Sequence, residues 1–114
     1  MDNVAAHLGF SRFAEEGGQV FVEWEAVREE DVYFYTLSVS SDREGPYEEC
    51  ARVEAVGAHH LYRVPIEPRG SCFYKLTDTE RRSAVVTGHG ILWWPRDFEE
   101  RVAEWTDEPP PSLR

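Results

Sequence analysis

The sequence predicts an all-β fold, a sandwich of two antiparallel sheets. Three observations point there. From Val20 to Thr87 apolar and polar residues alternate in short runs, the period-two pattern of strands with one buried and one wet face. Turn-forming residues separate the runs at intervals of about 8–12 residues, the spacing of sandwich strands. No catalytic or metal motif interrupts them.

The first run, Leu8 to Phe13, reads as an edge strand ended by the Glu15-Glu16-Gly17-Gly18 turn. Gln19–Ala26 follows, with Val20, Val22, Trp24 and Ala26 on one face and Phe21, Glu23 and Glu25 on the other. Arg28-Glu29-Glu30-Asp31 is an acidic loop. The run Val32–Ser40 places Tyr33, Tyr35, Leu37 and Val39 on one face and Phe34, Thr36, Ser38 and Ser40 on the other. Ser41-Asp42-Arg43-Glu44-Gly45-Pro46 is turn chemistry. Tyr47–Ala55 is the next strand, and Gly57 breaks it. Leu61–Ile66 is short, and Pro65, which cannot donate to a ladder, makes it an edge or end strand. After Glu67-Pro68-Arg69-Gly70, the strand Ser71–Thr77 groups Cys72, Tyr74 and Leu76. A turn over 78–82 leads into the last strand, Ser83–Thr87.

Residues 1–90 therefore form the sandwich, and Gly88-His89-Gly90 marks the start of a C-terminal extension over 91–114. There Ile91-Leu92-Trp93-Trp94 is apolar and Pro95 suits the first turn of a short helix over about 96–105. Asp97, Glu99 and Glu100 sit near its positive end, and Phe98, Val102 and Trp105 make one apolar stripe. The tail Glu108-Pro109-Pro110-Pro111-Ser112 is extended.

Taken in order, these segments resemble a fibronectin type III domain over about residues 10–88. VFVEWEA resembles that family's second strand with its buried Trp, here Trp24. YFYTLSVSSDREGPYEECARVEA resembles a bacterial variant that precedes C-terminal sorting domains, at Tyr35, Leu37, Ser40-Ser41-Asp42, Tyr47, Cys50 and Val53. CFYKLTDTERRSAVV resembles it again, at Phe73-Tyr74-Lys75-Leu76, Asp78, Ser83, Val85 and Val86. Arg43 stands where the variant usually has Gly. The resemblance implies an immunoglobulin-like sandwich of about seven antiparallel strands. It also implies that Cys50 and Cys72 lie on strands separated by the Val32–Ser40 strand. A disulfide needs Cα atoms within about 7 Å, so two free, buried thiols are expected.

The chain has 114 residues, the size of one domain, and a formal net charge of −10. Such a surface repels phosphate backbones and anionic lipid, so neither nucleic acid nor membrane insertion is expected. Arg outnumbers Lys eleven to one. The opening MDNVAAHLGF has neither a basic start nor a long apolar stretch, so no secretory signal is expected. A cytoplasmic address is the default, with virion or cell surface as alternatives.

Chemistry-bearing residues are few. His59-His60 point opposite ways on an extended chain and read as a turn after Gly57, not as metal ligands. Glu23 and Glu25 lie on an outer face, where solvated carboxylates are expected. No enzyme activity, cofactor or metal is expected. The sharper signal is aromatic. Trp93, Trp94, Phe98, Val102 and Trp105 either close an open end of their own sandwich or dock on a protein partner, and Phe21 and Phe34 are candidate outer-face contacts. The expectation is a non-catalytic structural or protein–protein interaction module. It would be a subunit of a surface layer, filament or virus particle docked through the extension. The alternative is a carbohydrate-binding or adhesin module, which needs a row of exposed Trp or Tyr rings.

Overall fold

The computed structural model describes residues 6–98 and 105–106. Within them, seven strands run in chain order: β1 (His7–Glu16), β2 (Gln19–Arg28), β3 (Val32–Ser40), β4 (Glu48–Glu54), β5 (Leu61–Ile66), β6 (Cys72–Glu80) and β7 (Val86–Trp94). They form a three-stranded sheet, β1-β2-β5, and a four-stranded sheet, β4-β3-β6-β7, with every pair antiparallel. The fold is the expected two-sheet β structure. β3 and β5 have the predicted bounds, and the Pro65-bearing strand is an edge.

Alternation builds the core. Val22, Trp24 and Ala26 on β2 face Tyr35 and Leu37 on β3, and all five are buried. Trp24 stacks on Tyr62 at 5.3 Å and meets Tyr35 edge-on at 5.4 Å. A second aromatic group, Phe13 with Tyr74 and Trp94, fills the space between β1 and β6–β7. Such pairs add about 0.5–1.5 kcal/mol each beyond the area they bury.

Bulges account for several departures from the predicted pattern. Val32 pairs with Glu80 and Phe34 with Thr79, so Tyr33 is an extra residue. Tyr33 therefore leaves the core face it was assigned to and is exposed, while Val32 turns inward. Leu37 pairs with Ala51 and Ser38 with Glu49, which makes Cys50 the extra residue of β4. Both thiols are free and lie on either side of β3, but Cys50, expected to be buried, is exposed; only Cys72 is buried.

The last strand departs most from its predicted bounds, and β1 and β6 each run three residues further than predicted, β1 to Glu16. β6 does not turn at Asp78 but continues to Glu80, which places Asp78 inside. The final strand begins at Val86 rather than Ser83 and continues through Trp94. Residues 91–94, expected in the extension, thus belong to the sheet. Gly88 and Gly90 read as a break, yet they are inward positions of β7. Where a helix was expected from Arg96, residues 95–98 form a turn. It is closed by the Asp97 amide on the Trp93 carbonyl (2.7 Å) and the Phe98 amide on the Pro95 carbonyl (3.1 Å). Asp97 caps this turn, its Oδ2 accepting from the Trp93 amide at 2.8 Å. Residues 99–104 of the expected helix lie outside the described residues. Thr106 pairs antiparallel with His89 on the free edge of β7.

Candidate interaction surface

One end of the sandwich gathers three connections. β2 ends there and β3 begins; β4 ends and β5 begins; β6 ends and β7 begins. The register fixes this, since Val32 pairs with Glu80, Phe34 with Glu54, Thr79 with Val86 and Glu25 with Leu61. Glu29 ties the first two together, and the Arg81 amide, donating to the Asp31 carbonyl at 2.6 Å, holds the third. The Glu29 carboxylate is buried, 6 % exposed, in a loop expected to be solvated. Oε2 accepts from the Tyr35 hydroxyl at 2.6 Å. Oε1 accepts from the Tyr62 hydroxyl at 2.8 Å and from the Gly57 amide at 2.6 Å. The Tyr62 oxygen in turn accepts from the Val56 amide at 2.9 Å. Burial pushes the Tyr62 phenol up to about 12 and Tyr35 higher, with the Glu29 carboxylate adding in the same direction, so both phenols stay protonated donors. The acidic run 28–31 concealed this. The signal that could have found it is the pair Tyr35 and Tyr62, each with an inward phenol that needs an acceptor.

Around this end the large apolar side chains are exposed. Val56 is 66 % exposed and Val85 52 %, and Val27, Tyr33 and Leu61 are also open to solvent. Val27 is at the end of β2, Tyr33 at the start of β3, Val56 just past β4, Leu61 at the start of β5 and Val85 just before β7. A cleft of about 410 Å³ opens beside Val56, lined also by Glu30, Val32, Gly57, Ala58 and Arg81.

The aromatic residues singled out from the sequence have other settings. Phe21 and Phe34 do lie on outer faces, but each carries a guanidinium, Arg63 at 4.2 Å and Arg52 at 4.4 Å. Trp93, also outward, is covered by Arg96 at 4.7 Å and donates to Ser71 Oγ at 3.0 Å. The same arrangement recurs with Arg12 over Phe10, Lys75 over Tyr47 and Arg81 over Tyr33. Cation–π pairs of consequence occur about once per 70–80 residues, so six here, five of them from arginine, assign structural work to the arginine-rich composition. Trp94, Phe98 and Trp105 pack against the core of their own domain. Val102 lies outside the described residues.

Glu23 also departs from expectation. It is on the outer face of β2 but only 3 % exposed. Arg12 on β1 reaches Oε1 at 2.8 Å and Arg63 on β5 reaches Oε2 at 2.7 Å, so two edge strands cover the central carboxylate. His59 and His60 occupy the predicted turn after Gly57, with His59 at φ 68°.

No protein-family model, curated protein or solved structure matches the chain.

Proposed function

We propose that the chain is a non-catalytic protein–protein interaction module, a subunit of a larger assembly, and that it meets its partner at the end of the sandwich tied by Glu29. The observation that carries this is the position of Val27, Tyr33, Val56, Leu61 and Val85. Every exposed large apolar side chain among the described residues belongs to that end. Exposed apolar groups gathered in one region mark contact sites more often than scattered ones do. The C-terminal aromatics, first candidates for docking, act in this reading as a cap on their own sandwich. The strand order, with Cys50 and Cys72 on either side of β3, supports the fibronectin type III kinship that the sequence motifs suggest. The carbohydrate reading needs free rings in a row and is disfavoured, because Phe10, Phe21, Tyr33, Phe34, Tyr47 and Trp93 each carry a cation.

A photo-reactive residue placed at position 56 or 85 tests the proposal in the cells that make the protein. Adducts are expected from these positions and not from Glu15, at the opposite end. Equal labelling from both ends, or none from the Val56 end, would overturn it.

A further inference from the structure

Trp105 occupies the place where residue 88 would carry a side chain. Its Nε1, Cε2 and Cζ2 lie 2.7, 2.9 and 2.9 Å from the position of a Cβ on Gly88. One residue on, Thr106 and His89 exchange both backbone hydrogen bonds, at 2.8 and 2.9 Å. Trp105 and Thr106 are docked on the edge of β7 by an aromatic anchor and a single β-bridge.

The anchor sits beside an unsatisfied carboxyl. Asp78 is the cross-strand partner of Gly88 and is 1 % exposed. Its Oδ1 accepts from Thr87 Oγ1 at 3.0 Å, and the Thr87 and Gly88 amides also donate to the carboxyl. Its Oδ2 has no partner, and neither do the indole Nε1 atoms of Trp105 and Trp24. These are the only unpartnered buried side-chain nitrogen and oxygen atoms among the described residues. They belong to elements that meet at one register position. Asp78 pairs with Tyr35, which touches Trp24, and with Gly88, which touches Trp105.

We propose that Asp78 is a proton-operated latch for the C-terminal segment: its neutral carboxyl keeps Trp105 docked on β7, and its ionised form favours release. The reason is solvation. With Trp105 seated, Asp78 is dry, and a charge there is penalised. With Trp105 away, water reaches the Gly88 edge and solvates the carboxylate. The docked state therefore holds the proton more tightly, and by linkage the proton favours docking by the same factor.

Burial does raise the Asp78 carboxyl from 3.8 to about 6, against the opposing pull of the Thr87 hydroxyl and the Thr87 and Gly88 amides. The groups next to it are Tyr35 from β3 and Thr87 and Gly88 from β7, with Trp24 and Trp105 one contact further out. None of these carries a charge, so the carboxyl itself is the switch. His89 is adjacent in the chain but faces outward. If release restores an ordinary carboxylate, docking weakens with rising pH by at most roughly 100-fold, most of it between about pH 4 and 6.

Hydrogen exchange at the His89 and Thr106 amides, the two donors of the bridge, tests this. After correction for intrinsic exchange, protection should fall at least about tenfold from pH 4.5 to 7. The Tyr35 amide in the core, which exchanges through global unfolding, should stay better protected than both bridge amides at every pH. Asp78→Asn should hold both bridge amides protected across that range. Thr87→Val removes a hydrogen bond that favours the charged form and should move the transition to higher pH, which decides the matter if the Asn variant does not fold. Bridge protection independent of pH in the wild type, the same dependence in Asp78→Asn, or bridge amides as well protected as the core would each overturn the proposal.

Discussion

The loop end and the β7 edge each bury a carboxylate, and they treat it differently. Glu29 receives three donors from three parts of the chain, one of them a backbone amide. Asp78 has donors for Oδ1 and an empty Oδ2. A satisfied buried acid ties the segments that feed it into one geometry, whereas a half-satisfied one stores a cost that a change of protonation or solvation relieves. The loop end is thus a fixed platform for exposed apolar groups. The β7 edge is a place where the chain can let go.

The platform half of the comparison breaks most severely at Glu29. Glu29→Ala strands two buried phenols and a part-buried amide, and should cost about 3–5 kcal/mol of stability. Denaturant unfolding measures it. Glu29→Gln, which keeps an acceptor oxygen, should lose less than half as much. A loss under 1 kcal/mol for the Ala variant would mean that the tyrosines find other partners and that the platform is not built on this residue.

The Asp78 half has a pH signature of fixed sign. Its carboxyl is raised in the folded chain to about 6 from 3.8, so the folded state binds the proton more tightly than the unfolded one. Stability from this group is complete below about pH 4 and is lost as pH rises to about 6, with an upper bound of about 3 kcal/mol. Other carboxylates superimpose their own dependence. The comparison to make is therefore wild type against Asp78→Asn, whose relative stability should rise with pH across that window and level off above it. A difference that stays constant with pH would remove the asymmetry between the two acids.

Gly88→Ala sharpens the edge without touching the acid. The added methyl meets ring atoms of Trp105 at under 3 Å, so the ring must move. A loss of about 1–3 kcal/mol is expected, with a red shift of tryptophan emission as the indole meets water.

Parts of this contrast were legible in the sequence and parts were not, for a physical reason. Alternation reports which face a residue occupies, and it placed Trp24, Tyr35 and Tyr62 correctly. It reads a carboxylate as wet wherever it stands. Glu23 and Glu29 are dry because of partners far along the chain, Arg63 at forty residues and Tyr62 at thirty-three. No local pattern carries that information. Bulges were equally hidden, since Tyr33 and Cys50 are extra residues only with respect to a partner strand. Gly88 and Gly90 suggested a boundary because glycine usually punctuates. In β7, Gly88 instead admits a ring from a segment seventeen positions on.

The smallest effect on stability should come from the residue that matters most to the proposed contact. Val56 is exposed, and its neighbours use its backbone amide rather than its side chain. Val56→Asp should therefore change folding stability by no more than about 0.5 kcal/mol. In a contact that excludes water, the same carboxylate loses its hydration with no cation assigned to meet it, and binding should weaken at least about tenfold. The paired measurement is unfolding by denaturant and adduct yield from a photo-reactive residue at position 85. An unchanged adduct yield with unchanged stability would show that Val56 stays wet in the complex and would move the contact away from this end. A lost adduct with lost stability would instead mean that the side chain supports the Glu29 tie, making the rigidity of the platform and its stickiness one property rather than two.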